Sequence, residues 1–384
     1  MQGIFLGKPF SGATFDSRKV EPGMLFVALK GEKVDGHDFI PMALARGAAG
    51  IVDGCEELAR AARDYRRSLK AQVIGITGSA GKTTTKELVR AFLGRVGKVH
   101  ATEGNFNNHI GLPITILNCP PDADFLVLEM GTNHPGEIAG LCDIALPDAG
   151  LVTCVGTAHI EFFGTQEAIA REKGTLLARA KGPCVVSAEN PYLPILRELA
   201  GGRLVAASTH LPWLEDAMAA ILPGAHNLAN ASLAYALCAQ YGLERAAALA
   251  ALDDFALPGA RWRRTEKDGV FYIDDTYNAN PDSMMAAIAT FAALPAGGRR
   301  VAILGDMFEL GPRSEEFHRE VFDFAAGRGL DLVVAVGSVS SRCRADLAFA
   351  SLEELLPQIG NILRRGDTVL LKASHGMRLG RVLD

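Results

Sequence analysis

The residues of this 384-residue chain best suited to chemistry form a glycine-rich loop between a predicted strand and a predicted helix. Glycines let a backbone fold tightly around phosphate groups and turn its N–H groups toward them. The helix that follows adds the positive end of its dipole. Lys82 is predicted to reach the β- and γ-phosphates of a nucleotide, and Thr83 to ligate Mg²⁺. The predicted ATP-binding residues here are Gly78, Ser79, Ala80, Gly81, Lys82, Thr83 and Thr84.

The loop departs from the strict phosphate-binding pattern at one position. That pattern has glycine six residues before Lys82, where this chain has Ile76. The alternative interpretation is a glycine-rich turn that only caps a helix. The Gly-Lys-Thr sequence between a strand and a helix favours the phosphate loop.

A carboxylate ends the next predicted strand, Phe125–Met130. Glu129 lies at the carboxyl end of this apolar run, and such ends face the ligand crevice of a parallel sheet. We therefore predict that Glu129 ligates a metal ion beside the nucleotide. The alternative, a strand-end glutamate on the surface, is disfavoured by the hydrophobicity of the strand.

Alternating strands and helices must position these residues. The first block has predicted strands at Gln72–Thr77, Phe125–Met130, Gly150–Val155 and Pro183–Ser187. The second has strands at Val270–Asp275, Arg300–Gly305, Leu332–Gly337 and Thr368–Lys372, with helices beginning at Pro281, Ser314 and about Leu352. An Ala-rich helical region, Asn227–Phe255, and a linker, Leu257–Arg264, separate the blocks. This alternation predicts α/β folding with mainly parallel sheets.

We predict three domains with breaks near residues 71 and 257. Residues 1–70 form a small N-terminal α/β domain, and residues 71–256 a central parallel-sheet ATPase domain with the phosphate loop. Residues 257–384 form a C-terminal Rossmann-like α/β domain.

Composition narrows the class of protein. Hydrophobic residues make up 48% and charged residues 22%, and the net charge is −5, so no nucleic-acid partner is expected. The seven cysteines are odd in number and form no C-x-x-C pair, which disfavours disulfides and zinc and favours a reducing compartment. Neither a signal peptide nor a membrane-spanning segment is predicted, so we expect a cytoplasmic protein without membrane insertion.

The variant Thr-Gly-x-x-Gly-Lys-Thr at residues 77–83 resembles the loop of the Mur ligases and folylpolyglutamate synthetases. The resemblance implies Mg²⁺ on Thr83 and Glu129. It implies a second Mg²⁺ on His159, in Gly-Thr-Ala-His-Ile-Glu, and a catalytic, carbamylated lysine at Lys173, in Arg-Glu-Lys-Gly. From residue types alone, His159 would be a structural histidine, and Lys173 an exposed helix lysine weakly paired with Glu172.

Further segments of the family resemblance concern ATP. His226-Asn227-Leu228-Ala229-Asn230 is similar to a segment whose first asparagine contacts adenine, although Asn227 could also be a helix N-cap. Arg261 resembles an arginine that follows the linker and contacts phosphate, and Arg263 is a competing candidate. Asp275 is implied to reach the ribose.

Three segments are typical of the Mur ligases that add D-alanyl-D-alanine. They are Gly104–Asn108, Asp274–Met284 and Gly305–Gly311, the last with His318 downstream. Phe15-Asp16-Ser17-Arg18 is similar to the part that holds a uridine diphosphate. The implied substrate-binding residues are Ser17, Arg18, Asn105, Asn107, Asn108, Tyr277 and Asn278.

The resemblance therefore implies an ATP- and Mg²⁺-dependent ligase in peptidoglycan precursor synthesis, acting as a monomer. It would join D-alanyl-D-alanine to UDP-N-acetylmuramoyl-tripeptide through an acyl-phosphate. One alternative is a related amide ligase with a different acceptor. Another is a shortened, non-catalytic paralogue that binds nucleotide, which the retained Lys82, Glu129, His159 and Asp275 disfavour.

Overall fold

A computed structural model describes residues 3–295 and 297–384. Contacts divide the described residues into two compact units. The first contains the residues up to Val155, with Glu167–Thr209 and Asn230–Asp254. The second contains Gly156–Gln166, His210–Ala229 and Phe255–Asp384. Within the described residues, no helix is long and apolar enough to cross a membrane.

The amino-terminal part of the first unit has short strands and one long helix. Its elements are β1 (Gly3–Phe5), β2 (Lys8–Phe10), β3 (Ala13–Thr14), β4 (Leu25–Ala28), α1 (Ile40–Ala45), β5 (Gly50–Asp53) and α2 (Gly54–Ser68). Strands β3, β4 and β5 pair in parallel, whereas β1 and β2 are antiparallel. Helix α2 buries Leu58, Ala61, Ala62 and Tyr65, whose helical spacing places them on one face.

The rest of the first unit is built on a parallel sheet with the order β11-β10-β9-β6-β8-β7. Its strands are β6 (Gln72–Thr77), β7 (Val99–Ala101), β8 (Phe125–Glu129), β9 (Ala149–Val152), β10 (Cys184–Ser187) and β11 (Leu204–Ala207). Its helices are α3 (Lys82–Leu93), α4 (Gly111–Leu117), α5 (Glu137–Ala145), α7 (Gln166–Arg179) and α8 (Leu193–Ala200). The short helix α6 (Ile160–Phe163) precedes α7 in the chain but belongs to the second unit. Strands β9, β6 and β8 are neighbours, so their carboxyl ends, where ligands bind in such sheets, adjoin.

The second unit contains a sheet with the order β12-β13-β17-β14-β15-β16. Its strands are β12 (Arg263–Lys267), β13 (Val270–Asp274), β14 (Arg300–Gly305), β15 (Leu332–Val336), β16 (Leu347–Phe349) and β17 (Thr368–Lys372). The pairing is parallel except between β12 and β13. The other helices of the described residues are α9 (Pro212–Ile221), α10 (Ala225–Cys238), α12 (Pro281–Ala293), α13 (Ser314–Ala326), α14 (Leu352–Leu355) and α15 (Ile359–Ile362), together with α11 (Arg245–Leu252), which belongs to the first unit.

The predicted α/β class with mainly parallel sheets is confirmed. The strands at Gln72–Thr77, Arg300–Gly305 and Thr368–Lys372 have the predicted bounds, and the other predicted strands differ by one to three residues at an end. Helix α12 begins at Pro281, as predicted, because Asn280 caps it by accepting from the Ser283 N–H. The predicted linker is wrong at its end, where β12 begins at Arg263. The domain breaks near residues 71 and 257 stay predictions.

Candidate functional site

The glycine-rich loop follows β6 directly and ends where α3 begins, at Lys82. The Ser79 N–H donates to the Cys154 carbonyl at 3.0 Å, and the Thr153 hydroxyl donates to the Ala80 carbonyl at 2.5 Å. Both partners lie just beyond the carboxyl end of β9. The Lys82 ammonium lies over the loop and donates to the Gly78 carbonyl at 2.8 Å. The loop is therefore held in a curved conformation at the N-terminus of α3, as phosphate binding requires.

Two glycines of this loop are required by its geometry. Gly78 has φ +153°, and a Cβ there would overlap the Thr153 hydroxyl; Gly81 has φ +77°, and its Cβ would overlap the Asn230 side chain. Ile76, where the strict pattern has glycine, is fully buried within β6. The one departure from the phosphate-binding pattern therefore lies in strand β6, before the loop, and does not change the curvature of the loop.

Replacing Gly78 by alanine should weaken ADP binding by roughly 10–100-fold, since strained backbone costs about 1–3 kcal/mol per residue. Calorimetric titration with ADP measures this change. Gly140→Ala is the matched control, because a Cβ at Gly140 meets nothing within 4 Å. Unchanged ADP affinity in Gly78→Ala would mean that the nucleotide does not use this loop.

Glu129 ends β8 beside the loop and is only 3% exposed. Its carboxylate accepts from the Thr83 hydroxyl at 2.8 Å and from the Asn107 amide nitrogen at 2.9 Å. Its backbone N–H donates to the Thr102 hydroxyl at 3.0 Å. The predicted pair of metal ligands, Thr83 and Glu129, therefore lies together at the loop.

The donor set at this point suits Mg²⁺, which prefers oxygen ligands and usually keeps several waters. Glu129 and Thr83 supply a carboxylate and a hydroxyl. In the described part of the chain, no group of three or more His, Cys, Asp or Glu could hold a metal. A cation here would therefore complete its shell with phosphate oxygens and water.

Lys173, on α7, is 1% exposed. Burial, and secondarily the charge of Lys82, lower the pKa of Lys173 to about 7. The interpretation from residue types, in which Lys173 is an exposed lysine paired with Glu172, is therefore wrong. The Glu172 carboxylate instead accepts from the N–H groups of Gly136 and Ile138, both at 2.8 Å. A substantial fraction of the Lys173 amine is thus neutral, and nucleophilic, near pH 7.

In the second unit, Asp275 follows β13 at the carboxyl end of its sheet. Its carboxylate accepts from the Lys372 ammonium at 2.6 Å and from the Trp262 N–H at 3.3 Å. Sequence reasoning missed Lys372, although the rule applied to Glu129, a charged residue ending an apolar strand, would have found it. His226 is also near this pair, and its burial lowers its pKa to about 4, so it is neutral at pH 7.

The two competing arginines have different partners. The Arg263 guanidinium bonds the buried Asp274 carboxylate at 3.0 Å across the β12–β13 pair. The Arg261 guanidinium lies 3.3 Å from the centre of the Tyr277 ring and donates to the Pro258 carbonyl. Because the Arg263 guanidinium is already paired with the buried Asp274 carboxylate, Arg261 is the better candidate for binding a phosphate group.

Asn227 does not cap its helix, so that interpretation is wrong. Helix α10 begins two residues earlier, at Ala225. The Asn227 side chain is buried and donates to the Pro223 carbonyl at 2.9 Å. A contact between Asn227 and adenine stays a prediction.

His159 has φ +61° and lies beside Glu309, which has the same φ. The two side chains are 2.7 Å apart, Nδ1 to Oε2. A carboxylate this close to one ring nitrogen can orient the other for a ligand. Sequence reasoning placed Glu309 in a typical segment but gave it no role. The downstream His318 is fully buried and accepts from the Met307 N–H, which makes it structural.

The predicted substrate residues lie in several places. Asn105 is exposed, Asn108 accepts from the Gly111 N–H at the start of α4, and Asn278 accepts from the Ala279 N–H. Ser17 is buried, whereas the Arg18 side chain is 83% exposed and paired with Asp16. The Arg18 bond holds the pKa of Asp16 at about 2. Their substrate contacts stay predictions.

Three Mur ligase family models match the chain. The family's catalytic domain matches residues 9–95, its middle domain residues 76–210, and its glutamate ligase domain residues 260–375. A UDP-N-acetylmuramoyl-tripeptide–D-alanyl-D-alanine ligase of Bacillus subtilis is 32% identical over 97% of this chain and 92% of its own length. The enzyme of that name from Escherichia coli is 33% identical over 96% and 92%.

Solved structures show the same similarity over nearly the whole chain. A crystal structure of MurF from Acinetobacter baumannii matches with a TM-score of 0.83 and 27% identity, over 97% of this chain and 92% of that one. MurF ligase from Thermotoga maritima in complex with ADP matches with a TM-score of 0.82 and 30% identity, over 97% and 96%.

Proposed function

Because the chain belongs to the Mur ligase family, we propose that it joins D-alanyl-D-alanine to UDP-N-acetylmuramoyl-tripeptide at the expense of ATP. The main observation that supports ATP as a substrate is the phosphate loop with the buried Thr83–Glu129 pair beside it. The named relatives, matched over almost their whole length, support the substrates.

The reaction has two steps. The terminal carboxylate of the tripeptide attacks the γ-phosphorus of ATP, which forms an acyl-phosphate and releases ADP. The amine of D-alanyl-D-alanine then attacks the acyl carbon, phosphate leaves, and the nitrogen loses a proton as the amide forms. The enzyme's part is positioning and charge neutralisation.

The residues of the first unit neutralise the phosphates. The loop N–H groups and the Lys82 ammonium, at the N-terminus of α3, would bind the β- and γ-phosphates. Thr83 and Glu129 would hold Mg²⁺, which would supply charge neutralisation on the phosphate oxygens. A carbamylated Lys173 in this unit and His159 in the second unit are each assigned as Mg²⁺ ligands. Lys173 suits carbamylation because a substantial fraction of its amine is neutral near pH 7.

The remaining predicted residues divide between nucleotide and substrates. We assign Asn227 to adenine, Asp275 to the ribose and Arg261 to phosphate. The uridine diphosphate part is assigned to Ser17 and Arg18. The tripeptide and D-alanyl-D-alanine are assigned to Asn105, Asn107, Asn108, Tyr277 and Asn278. The uridine diphosphate would thus bind within residues 1–70, and the protein would act as a cytoplasmic monomer.

The acceptor test compares D-alanyl-D-alanine with single amino acids. Phosphate release from ATP should require both UDP-N-acetylmuramoyl-tripeptide and an acceptor, and D-alanyl-D-alanine should give at least about a hundredfold higher kcat/KM than lysine or meso-diaminopimelate. A discrimination of that size matches sites that hydrogen-bond a substrate group absent from its competitor. A better rate with either single amino acid would indicate a related ligase with another acceptor. ADP binding without turnover on any acceptor would indicate a non-catalytic paralogue.

A further inference from the structure

Lys372 is a buried lysine at the carboxyl end of β17, a strand inside the sheet of the second unit. Strand β17 pairs with β13 on one side and β14 on the other. The residue is only 3% exposed. Carboxyl ends of parallel strands near the middle of a sheet are where such folds place ligand-binding groups.

The Lys372 ammonium is directed at a single segment. It donates to the Asp275 carboxylate at 2.6 Å, to the Asn278 carbonyl at 3.1 Å, and lies 3.4 Å from the Asp275 carbonyl. An ammonium has three N–H donors, and each has an acceptor in this segment. The opposite side of the Asp275 carboxylate accepts from the Trp262 N–H. The carboxylate is therefore held from two directions.

Stability alone is a weak reason for a buried ion pair. Removing two charges from water opposes their attraction, and apolar residues of similar size often serve as well. What the pair does provide is orientation, because Lys372 fixes both the side chain of Asp275 and the backbone of Asn278.

We propose that Lys372 is a positioning residue that aims the Asp275 carboxylate at the ribose hydroxyls of the nucleotide. The inference rests on the ribose assignment made for Asp275 under the proposed function. Lys372 itself need not touch ATP. Without it, only the Trp262 N–H holds the carboxylate, which can then turn toward solvent, and recognition of the ribose hydroxyls is weakened.

The test is calorimetric titration with ADP and with 2′,3′-dideoxy-ADP, which lacks the hydroxyls. The parent protein should prefer ADP by at least about tenfold, as expected for a hydrogen bond to a carboxylate. Lys372→Met should reduce this preference to about twofold or less by weakening ADP binding. If Lys372 only stabilised the fold, Lys372→Met would lose affinity for both nucleotides equally. The ratio of the ADP affinity to the 2′,3′-dideoxy-ADP affinity would then equal that of the parent protein.

Lys267→Met is the matched control, because Lys267 also donates to backbone carbonyls, those of Leu383 and Asp384, in the same unit. It should keep the parent's preference. Asp275→Asn, which retains the shape of the side chain, should lose the preference as Lys372→Met does. If Lys372→Met fails to fold, Lys372→Gln, which is polar but uncharged, takes its place and should likewise lose the preference. Melting temperatures report folding of each variant.

Retention of the parent's preference by a folded Lys372→Met overturns the role of Lys372. Retention by Asp275→Asn, or no preference in the parent, overturns the ribose assignment and the role of Lys372 with it. The phosphate-release assay with D-alanyl-D-alanine is independent of these titrations. A failed ligase assignment is therefore distinguishable from a failed positioning role.

Discussion

Lys82→Ala should lower the rate of ADP formation by at least roughly 10²–10³-fold, the loss seen when one preorganised electrostatic donor is removed from an active site. The Lys82 ammonium lies over the loop at the N-terminus of α3, bonded to the Gly78 carbonyl. Phosphoryl transfer spreads negative charge over the γ-phosphate oxygens, and a cation placed there stabilises that charge. The measurement is steady-state phosphate and ADP release with both substrates present.

Folding should be largely unaffected by this change, because Lys82 is only partly buried and alanine is a good helix former at the start of α3. An unchanged melting temperature would confirm this expectation. Lys181→Ala is the control, since Lys181 is an exposed lysine of the same unit paired with Asp148. Near-normal turnover in Lys82→Ala would mean that the phosphate loop has been misassigned.

Lys173→Ala should lose most activity, by roughly 10²-fold or more, if this lysine carries a carbamate. The neutral amine adds to CO₂ and then loses a proton, which converts a cation into an anionic, oxygen-rich group suited to Mg²⁺. A free ammonium at this place would repel the metal. Acetate should restore part of the activity of Lys173→Ala by filling the vacated space with oxygens, whereas chloride at equal ionic strength should not.

The pH dependence of carbamylation has a defined sign. Burial lowers the pKa of Lys173 to about 7, so the neutral, reactive amine increases as pH rises through 7. After removal of CO₂ and return to a fixed concentration of dissolved CO₂, activity should recover faster at pH 8 than at pH 6. A carbamate carbon should appear in the NMR spectrum with ¹³CO₂ and be absent from Lys173→Ala. Full activity in Lys173→Ala would remove the carbamate from the mechanism.

The sequence by itself determined the features whose parts are contiguous. A strand, a glycine turn and a helix start follow one another within residues 72–93, so local geometry alone makes the phosphate loop. Hydrophobic runs set the central strands, because a strand buried on both faces needs apolar side chains throughout. The Asn-Pro sequence likewise placed the start of α12, since a cap acts on the first turn that follows it.

Only the tertiary structure decided which side chains are buried and which distant groups meet. Lys173 looked like a surface lysine, but packing of α7 buries it, and burial shifts its pKa. Lys372 and Asp275 are 97 residues apart and pair because β13 and β17 are neighbours in the sheet. His159 and Glu309 likewise come from distant segments. Burial and cross-strand pairing are properties of the packed sheet and its register, and residue types along the chain do not specify them.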